Sequence, residues 1–516
     1  MCGFLKRRLS SLSKKKSVSN ALYALAVLFF AFFVFFPAVY VLSLSLNVRL
    51  DSLVINSLVT SFQIALLCTA LSLVFGIPLA WIIARSRGFK KEVLNSLVDM
   101  PLIIPTSALG FSVYLFWGSQ YGLAPLEKGF WLITALHTAF VFPYVVRTVS
   151  AAFEELDPVH ETAARSLGAN LLTVFRTVSF PLVKASVITG GMLAFTRSLS
   201  ETGATMMVAG LAVTAPVLVL QYKNAGDVSG AVSVSVILIV SAIVFLLLAK
   251  RLAGKMSFSF ERVSPRLEAR LNRFSPAKNS VVLAFFLLLI LVPAFFFFIF
   301  LSQMKQLPSA EQMQLIFNSL GASFLVAAVV TVINLVFGFA LALFIGRNKF
   351  GLGKLLETAN EVVLVVPTSA LGFSLALYWA GFHVPELLLI ILAHLSFTFP
   401  YIVTPIAAMV AQLDKNLEEA AATLGATPYK ILSSVTMPLI LPSVLAGVVM
   451  AFMRSISETG ATLAVSKSIS TAPVLIVKFV QSQQFVEAAV ACAVLFAISF
   501  VLLIIMRRSA GRKKEA

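Results

Sequence analysis

Residues Leu156–Pro181 read LDPVHETAARSLGANLLTVFRTVSFP, and residues Leu413–Pro438 read LDKNLEEAAATLGATPYKILSSVTMP. Each opens on Leu-Asp, passes through an alanine-rich turn to Leu-Gly, restarts at once, and reaches a proline ahead of a long apolar run. Asp157 and Asp414 are good N-caps, because a short carboxylate accepts the amides that a helix start leaves free. Pro158 suits the first helical position, where no amide is needed. Gly168 and Gly425 stand where a left-handed residue ends a helix. Asn170 in one copy and Thr427-Pro428 in the other open the next helix. The spacing predicts two short helices bent sharply at a glycine, and it predicts them twice.

What surrounds these elbows is overwhelmingly apolar. Of 516 residues, 59% are hydrophobic and 12% charged, whereas a soluble domain is about 45–50% apolar and about 25% charged. One membrane-spanning helix needs about 20 apolar residues, so this chain holds enough for a dozen. Soluble globular, disordered and collagen-like chains are excluded. Apolar runs lie near 21–43, 57–84, 100–117, 129–150, 183–210 and 231–249, and again near 280–301, 318–345, 362–382, 387–410, 439–465 and 486–506. Backbone groups in lipid are satisfied only in helices or closed barrels, and barrel strands would alternate instead of running unbroken. The expected fold is an all-α polytopic membrane protein with 12 transmembrane helices as two parallel six-helix repeats.

Charge sets the orientation. The formal net charge is +18, and the basic residues crowd into every second loop, at Lys6, Arg7 and Arg8, at Arg85 and Arg87, at Arg347 and Lys354, and at Arg507 and Arg508. This positive-inside pattern argues against a nucleic-acid face and puts both termini in the cytoplasm. The expected organisation is a basic N-terminus over 1–20, a first six-helix domain over 21–249 and a cytoplasmic linker over 250–279. A second six-helix domain over 280–506 and a basic C-terminus over 507–516 complete it. The run from Ala21 is longer than a secretory signal core and is read as a retained span. Cys2, Cys68 and Cys492 are too far apart to suggest a disulfide framework or a zinc site.

The halves repeat each other. Ile104–Ser112 reads IPTSALGFS and Val366–Ser374 reads VPTSALGFS, while Arg197–Thr205 reads RSLSETGAT and Arg454–Thr462 reads RSISETGAT. An even number of spans per half makes the repeats parallel. Arg197 and Glu201, like Arg454 and Glu458, are four apart and so share a helical face. Charges inside a membrane pair or face water, so each pair is either a structural ion pair or part of a gate or pathway. Thr202, Thr205, Thr459 and Thr462 add hydroxyls beside them. Pro105, Thr106 and Ser107, with Pro367, Thr368 and Ser369, either open the third span of each half or merely kink it. His137 and His394 occupy equivalent places, as packing or pathway residues. His160-Glu161 begins like a zinc-protease motif but has Ala164 at its fifth position. Gly254-Lys255 and Gly353-Lys354 lack the other residues of a phosphate-binding loop. No nucleotide or metal site is expected in this chain.

The elbow resembles the EAA loop of importer-type ABC transporter permeases. Glu419, Ala420, Ala421, Leu424 and Gly425 match that pattern fully. The first copy has Ala163, Ala164, Leu167 and Gly168, but Thr162 stands where Glu419 does, and Glu161 sits one residue earlier. The resemblance implies a permease subunit of a binding-protein-dependent importer, with no catalytic residue. Two copies of an ABC ATPase, binding ATP and Mg, would dock on the two loops, and an exterior solute-binding protein would deliver the substrate. The location implied is the cytoplasmic (inner) membrane. SETGAT is similar to the GEFGAT stretch of molybdate- and sulfate-type permeases, whereas the single-chain layout resembles ferric-iron and thiamine importers. An iron(III)-type permease is the expectation, with an oxyanion or thiamine permease as the alternative. A secondary transporter of the major facilitator kind is the rival from another class, and it would carry its long loop after span two instead of span four.

Overall fold

A computed structural model describes residues 16–123, 125–253, 268, 270, 272–304, 306–348 and 350–511. Most of the basic N-terminus, Cys2 included, most of the expected linker and the last five residues lie outside the described residues. All regular elements among the described residues are helical. Among the described residues nine helices are long and apolar enough to cross a membrane, and two bent pairs, each taken as one span, bring the number to eleven. The helix Phe485–Gly511, apolar over Phe485–Val501, occupies the place of the last expected span.

The third span of each half bends sharply at its proline, where an opening or a kink is expected, and the fifth stops short of its apolar run. Gly88–Ile103 meets Thr106–Gly118 at 102°, and Leu352–Val365 meets Thr368–Phe382 at 109°. The bend falls where a proline ring forces the preceding residue out of the helical region: Ile104 has ψ 124° and Val366 has ψ 127°. The helices Phe180–Leu199 and Met437–Ile456 stop at a Ser-Glu-Thr triplet instead of continuing to residues 210 and 465. Short helices, Gly203–Val208 and Gly460–Val465, follow each break.

By packing, the chain forms two compact units that exchange elements between the sequence halves. One holds the chain through Leu46, Phe317–Ala472 and the residues from Ala497; the other holds Asn47–Ile316 and Pro473–Phe496. The first span thus packs with second-half helices, and the span Pro276–Gln303 packs with the first half. The contact is the same in each unit. Ser374 Oγ donates to the Pro37 carbonyl at 2.8 Å and accepts the Val41 amide at 2.9 Å. Ser112 Oγ donates to the Pro293 carbonyl at 2.6 Å and accepts the Phe297 amide at 3.0 Å. Residues 37 and 41, like 293 and 297, are the two ends of one helical backbone bond. A serine hydroxyl has therefore been inserted into the ladder of a neighbouring helix, a recognised cause of local opening.

Both serines close the two repeated PTSALGFS blocks, so the motif's last residue is the staple for the exchanged span. Ser112→Ala and Ser374→Ala are each expected to cost about 1 kcal/mol. The double variant should lose about the sum, because the two staples share no partner. Thermal unfolding of the detergent-solubilised chain measures this.

Candidate functional site

The elbows form as the punctuation requires. Asp157 accepts the Val159 amide at 2.9 Å, and Asp414 accepts the Asn416 amide at 3.0 Å. Gly168 has φ +88° and Gly425 φ +80°. The amides of Ala169 and Ala426 reach back to the carbonyls of Ala164 and Ala421 at 3.1 and 3.0 Å, the closure of a glycine-terminated helix. Asn170 and Thr427 then cap the next helix on the amides of Thr173 and Lys430. A side chain at Gly168 or Gly425 would meet open space, so only the left-handed backbone demands glycine there. Leu167 is 89% exposed and Leu424 88%. Two matching apolar knobs thus stand at the tips.

A carboxylate pins each elbow to two transmembrane helices. Glu161 accepts Arg85 Nε at 2.9 Å, a second guanidinium bond from Arg85, and the Ser179 hydroxyl at 2.7 Å. Glu418 accepts Arg347 at 2.9 Å and the Thr436 hydroxyl at 2.5 Å. Arg85 and Arg347 end the long helices Ser52–Arg85 and Ala310–Arg347. Ser179 and Thr436 lie on π turns, Phe175–Ser179 and Leu432–Thr436, that widen the helix just ahead of Pro181 and Pro438.

The acid that the repeat holds in common is therefore Glu161 in one copy and Glu418 in the other. Glu419, matched to the EAA pattern from sequence, is exposed, as is Thr162 opposite it. Sequence reasoning missed Glu418 and the role of both arginines. The signal was available, because the 257-residue offset that superposes Gly168 on Gly425 sets Glu161 on Glu418. Ala163 and Ala420 are exposed, and Ala164 and Ala421 half-buried.

The second site is the break after each fifth helix. Arg197 pairs with Glu201 at 3.0 Å and Arg454 with Glu458 at 2.6 Å, and both carboxylates are buried. The glutamates lie past the helix ends, in the break itself, instead of on a shared helical face. Each also accepts an amide of the following short helix, from Ala204 at 3.2 Å and from Ala461 at 2.9 Å. A buried histidine bridges the gap. His137 contacts Ser198 Oγ and Thr205 Oγ1, both at 2.8 Å; His394 contacts Ser455 Oγ at 2.8 Å and Thr462 Oγ1 at 2.9 Å. The guanidinium carbons of Arg197 and Arg454 lie 5.3 and 5.2 Å from the ring centres of Phe140 and Phe397.

The two repeated motifs meet here. A Cβ on Gly110 would come within 2.9 Å of Ala204 and Met207, and one on Gly372 within 2.9 Å of Ala461 and Ala464. The helix after Pro105 and the one after Pro367 are thereby held against the short helices after the breaks. The carbonyls of Pro105 and Pro367 accept the amides of Leu109 and Leu371 at 2.9 Å, so the bend starts a new helix without leaving these groups open. Ser107 and Ser369 are fully buried, and their hydroxyls have no partner. Thr106 and Thr368 begin the helices, and Thr202 and Thr459 are buried in the breaks. The arrangement locks a broken helix with charge and hydroxyl groups, twice over.

Residues 76–258 and 338–515 each match the family described as the binding-protein-dependent transport system inner membrane component. The chain belongs to that family and carries its domain twice, as a membrane-spanning permease of ABC importers. Among its relatives is the molybdate/tungstate transport system permease protein WtpB of Methanocaldococcus jannaschii. It is 32% identical over 232 residues, covering 43% of this chain and 92% of that protein. WtpB of Pyrococcus furiosus is 30% identical over 224 residues, 43% of this chain and 88% of that protein. The sulfate transport system permease protein CysT of Salmonella typhimurium is 41% identical over 145 residues, 27% of this chain and 52% of that protein. These relatives are transport permeases named for oxyanions, and the iron(III) expectation gives way to the oxyanion alternative.

The latch has a pH signature. Burial raises the Glu161 carboxyl, but the hydrogen bonds from Arg85 and Ser179 and the charges of Arg85 and Arg165 outweigh it and hold the group below its ordinary value. A carboxylate depressed by folding contributes its stability fully above the ordinary carboxylate range and loses it as pH falls through the folded value. Glu161→Gln should therefore unfold earlier than the wild type at neutral pH, by about 1.5–3 kcal/mol. The deficit should shrink as the pH drops below the carboxylate range, in melting curves taken across that window.

Proposed function

We propose that this chain forms the membrane pathway of an importer for a tetrahedral oxyanion, of the molybdate, tungstate or sulfate class. An exterior binding protein delivers the anion, and two ATPase subunits engage the two elbows from the cytoplasm, the side on which the basic loops and both termini lie. The observation that carries the reading is the doubled elbow with its bare leucine, in a chain that matches the permease family twice. An apolar side chain held out on a rigid, capped turn loses solvent only when a partner covers it, and a full leucine is worth about 1.5–3 kcal/mol on burial. The names of the relatives support the substrate class, and the likeness of SETGAT to oxyanion permeases points the same way.

In this reading ATP closes the ATPase dimer, the elbows move with it, and the carboxylate latches pass the displacement to the long helices ending at Arg85 and Arg347. Two states of the permease are then biased by the nucleotide state of a separate subunit. The family's importer role favours this over a secondary transporter, and the long loop after the fourth span of each half favours it independently.

Reconstitution with the ATPase and binding protein tests the proposal. ATP-dependent uptake of labelled molybdate, tungstate or sulfate is expected, with none of ferric iron; ferric uptake, or oxyanion uptake without ATP, would contradict it. Leu424→Asp should weaken ATPase association by about tenfold or more, a loss of about 1.4 kcal/mol, with membrane insertion intact. Gly425→Pro should do the same by forbidding the positive φ that turns the elbow.

A further inference from the structure

Two cavities follow each other down the seam between the helix Ser52–Arg85 and the exchanged span Pro276–Gln303. The first, of about 140 Å³, stands at the end near Arg85. Pro78, Trp81 and Lys278 line it, with Leu171, Leu172 and Phe175 of the segment that leaves the first elbow. The second, of about 350 Å³, is walled by Phe75, Val281, Phe285, Leu288 and other apolar side chains. Phe75 and Phe285 stack there with 3.9 Å between ring centres. From Lys278 to Leu289 the helix runs about 16 Å at its usual rise, and the hydrocarbon of one leaflet is half of about 30 Å. The seam thus sets one leaflet's depth of apolar wall beneath an ammonium group.

That ammonium lacks a counter-charge. Among the described residues Lys278 pairs with no carboxylate, and its side chain reaches over the face of Trp81, with Nζ 5.9 Å from the ring centre. The acid nearest in the chain, Glu268, is engaged by Arg176 at 2.5 Å and by the Thr173 hydroxyl. Lys278 is exposed, so its charge stays at the headgroup level while its stem lies on the apolar wall. Tryptophan is enriched at that same level of a membrane. The repeat supplies a contrast. In the other unit Phe29 and Phe337 keep the stack at 3.9 Å, but Leu22 stands where Lys278 does and Leu343 where Trp81 does. The ring pair is common to both units; the cationic mouth belongs to one.

We propose that the seam binds one acidic phospholipid, with its phosphate on Lys278 and an acyl chain in the apolar cavities beneath. Under the orientation that the basic loops give, the mouth opens to the cytoplasmic leaflet, where acidic headgroups settle on basic residues between helices. An ammonium binds phosphate as a compact point charge, and an apolar cavity of about 150 Å³ stays dry and takes an apolar guest. Both parts are needed to choose the ligand. A free phosphate leaves the cavities empty, and a zwitterionic lipid sets its own cation against the lysine. The bound lipid rests on Leu171, Leu172 and Phe175 and so braces the first elbow and not the second. Which anion the importer carries does not enter the argument.

The test uses the full chain in phosphatidylcholine nanodiscs in which phosphatidylglycerol replaces a rising fraction of the lipid. Melting temperature should rise saturably with phosphatidylglycerol. In phosphatidylcholine alone it should not respond to inorganic phosphate at constant ionic strength. Lys278→Gln should raise the half-saturating fraction by about fivefold, the ratio that corresponds to the ~1 kcal/mol one lysine contributes at an acidic surface. Lys90→Gln, which removes an exposed cation outside the seam, should leave that fraction unchanged. Ala284→Trp, which fills the apolar cavity, should raise it. Native mass spectrometry should find one phosphatidylglycerol retained by the wild type and lost from Lys278→Gln. Absence of a saturable rise or of a retained lipid in the wild type would overturn the proposal. So would a rise with inorganic phosphate alone, an equal effect of Lys90→Gln, or an unchanged response in Lys278→Gln or Ala284→Trp.

Discussion

A surface elbow can move a membrane helix only through a contact stiff enough to carry load, and the contact that would serve the proposed coupling is one carboxylate per half. Glu161 and Glu418 each tie three pieces of chain: the elbow, the end of the second span through an arginine, and the start of the fifth through a hydroxyl. Charge-assisted hydrogen bonds are short and directional, and two of them on one carboxylate leave little freedom to slip. The rest of the elbow serves this pin. Caps at Asp157 and Asp414 and the left-handed turns at Gly168 and Gly425 hold the short helix at a fixed angle. Leu167 and Leu424 are then left bare at the outer tip.

Deeper in each unit the governing constraint is that a backbone opened inside lipid must find partners within the protein. At the breaks after the fifth helices and at the stapled helices a side chain meets that demand. Glu201 and Glu458 take up amides at the breaks, His137 and His394 join hydroxyls across them, and Ser112 and Ser374 complete a bond they have themselves opened in a neighbouring helix. The buried Arg-Glu pairs belong to this logic, since each charge has its counter-charge four residues away. Duplication has preserved these devices almost atom for atom. It has not preserved the clasp in which Arg147 of the first half donates to Asp99 and Asn95, for Thr404 stands at the equivalent position.

Much of this was legible in the sequence. Composition implies a polytopic helical protein, the repeated blocks imply the duplication, and the Asp, Gly and Pro spacing implies the elbows. Family membership followed from the same residues, whereas the substrate class did not, because the single-chain layout points to iron(III) and SETGAT to the oxyanions for which the relatives are named. The breaks at Ser200–Thr202 and Ser457–Thr459 were hidden because hydropathy continues through them; only the polar triplet betrays a stop. The exchange of spans between halves was illegible, since Ser112 and Ser374 carry no mark that their partners lie 181 and 337 residues away. Glu418 was passed over because pattern matching drew the eye to Glu419, while simple superposition of the two copies selects the right acid.

The most direct test of the latch is a charge exchange at the second elbow, read as ATP-driven substrate uptake in vesicles holding the assembled importer. Arg347→Glu and Glu418→Arg should each abolish uptake while ATPase subunits remain bound. The double exchange, which restores an opposite-charge pair in the reverse sense, should recover a substantial part of it. Normal uptake in either single variant, or a double variant no better than the singles, would contradict the claim that this ion pair transmits the stroke.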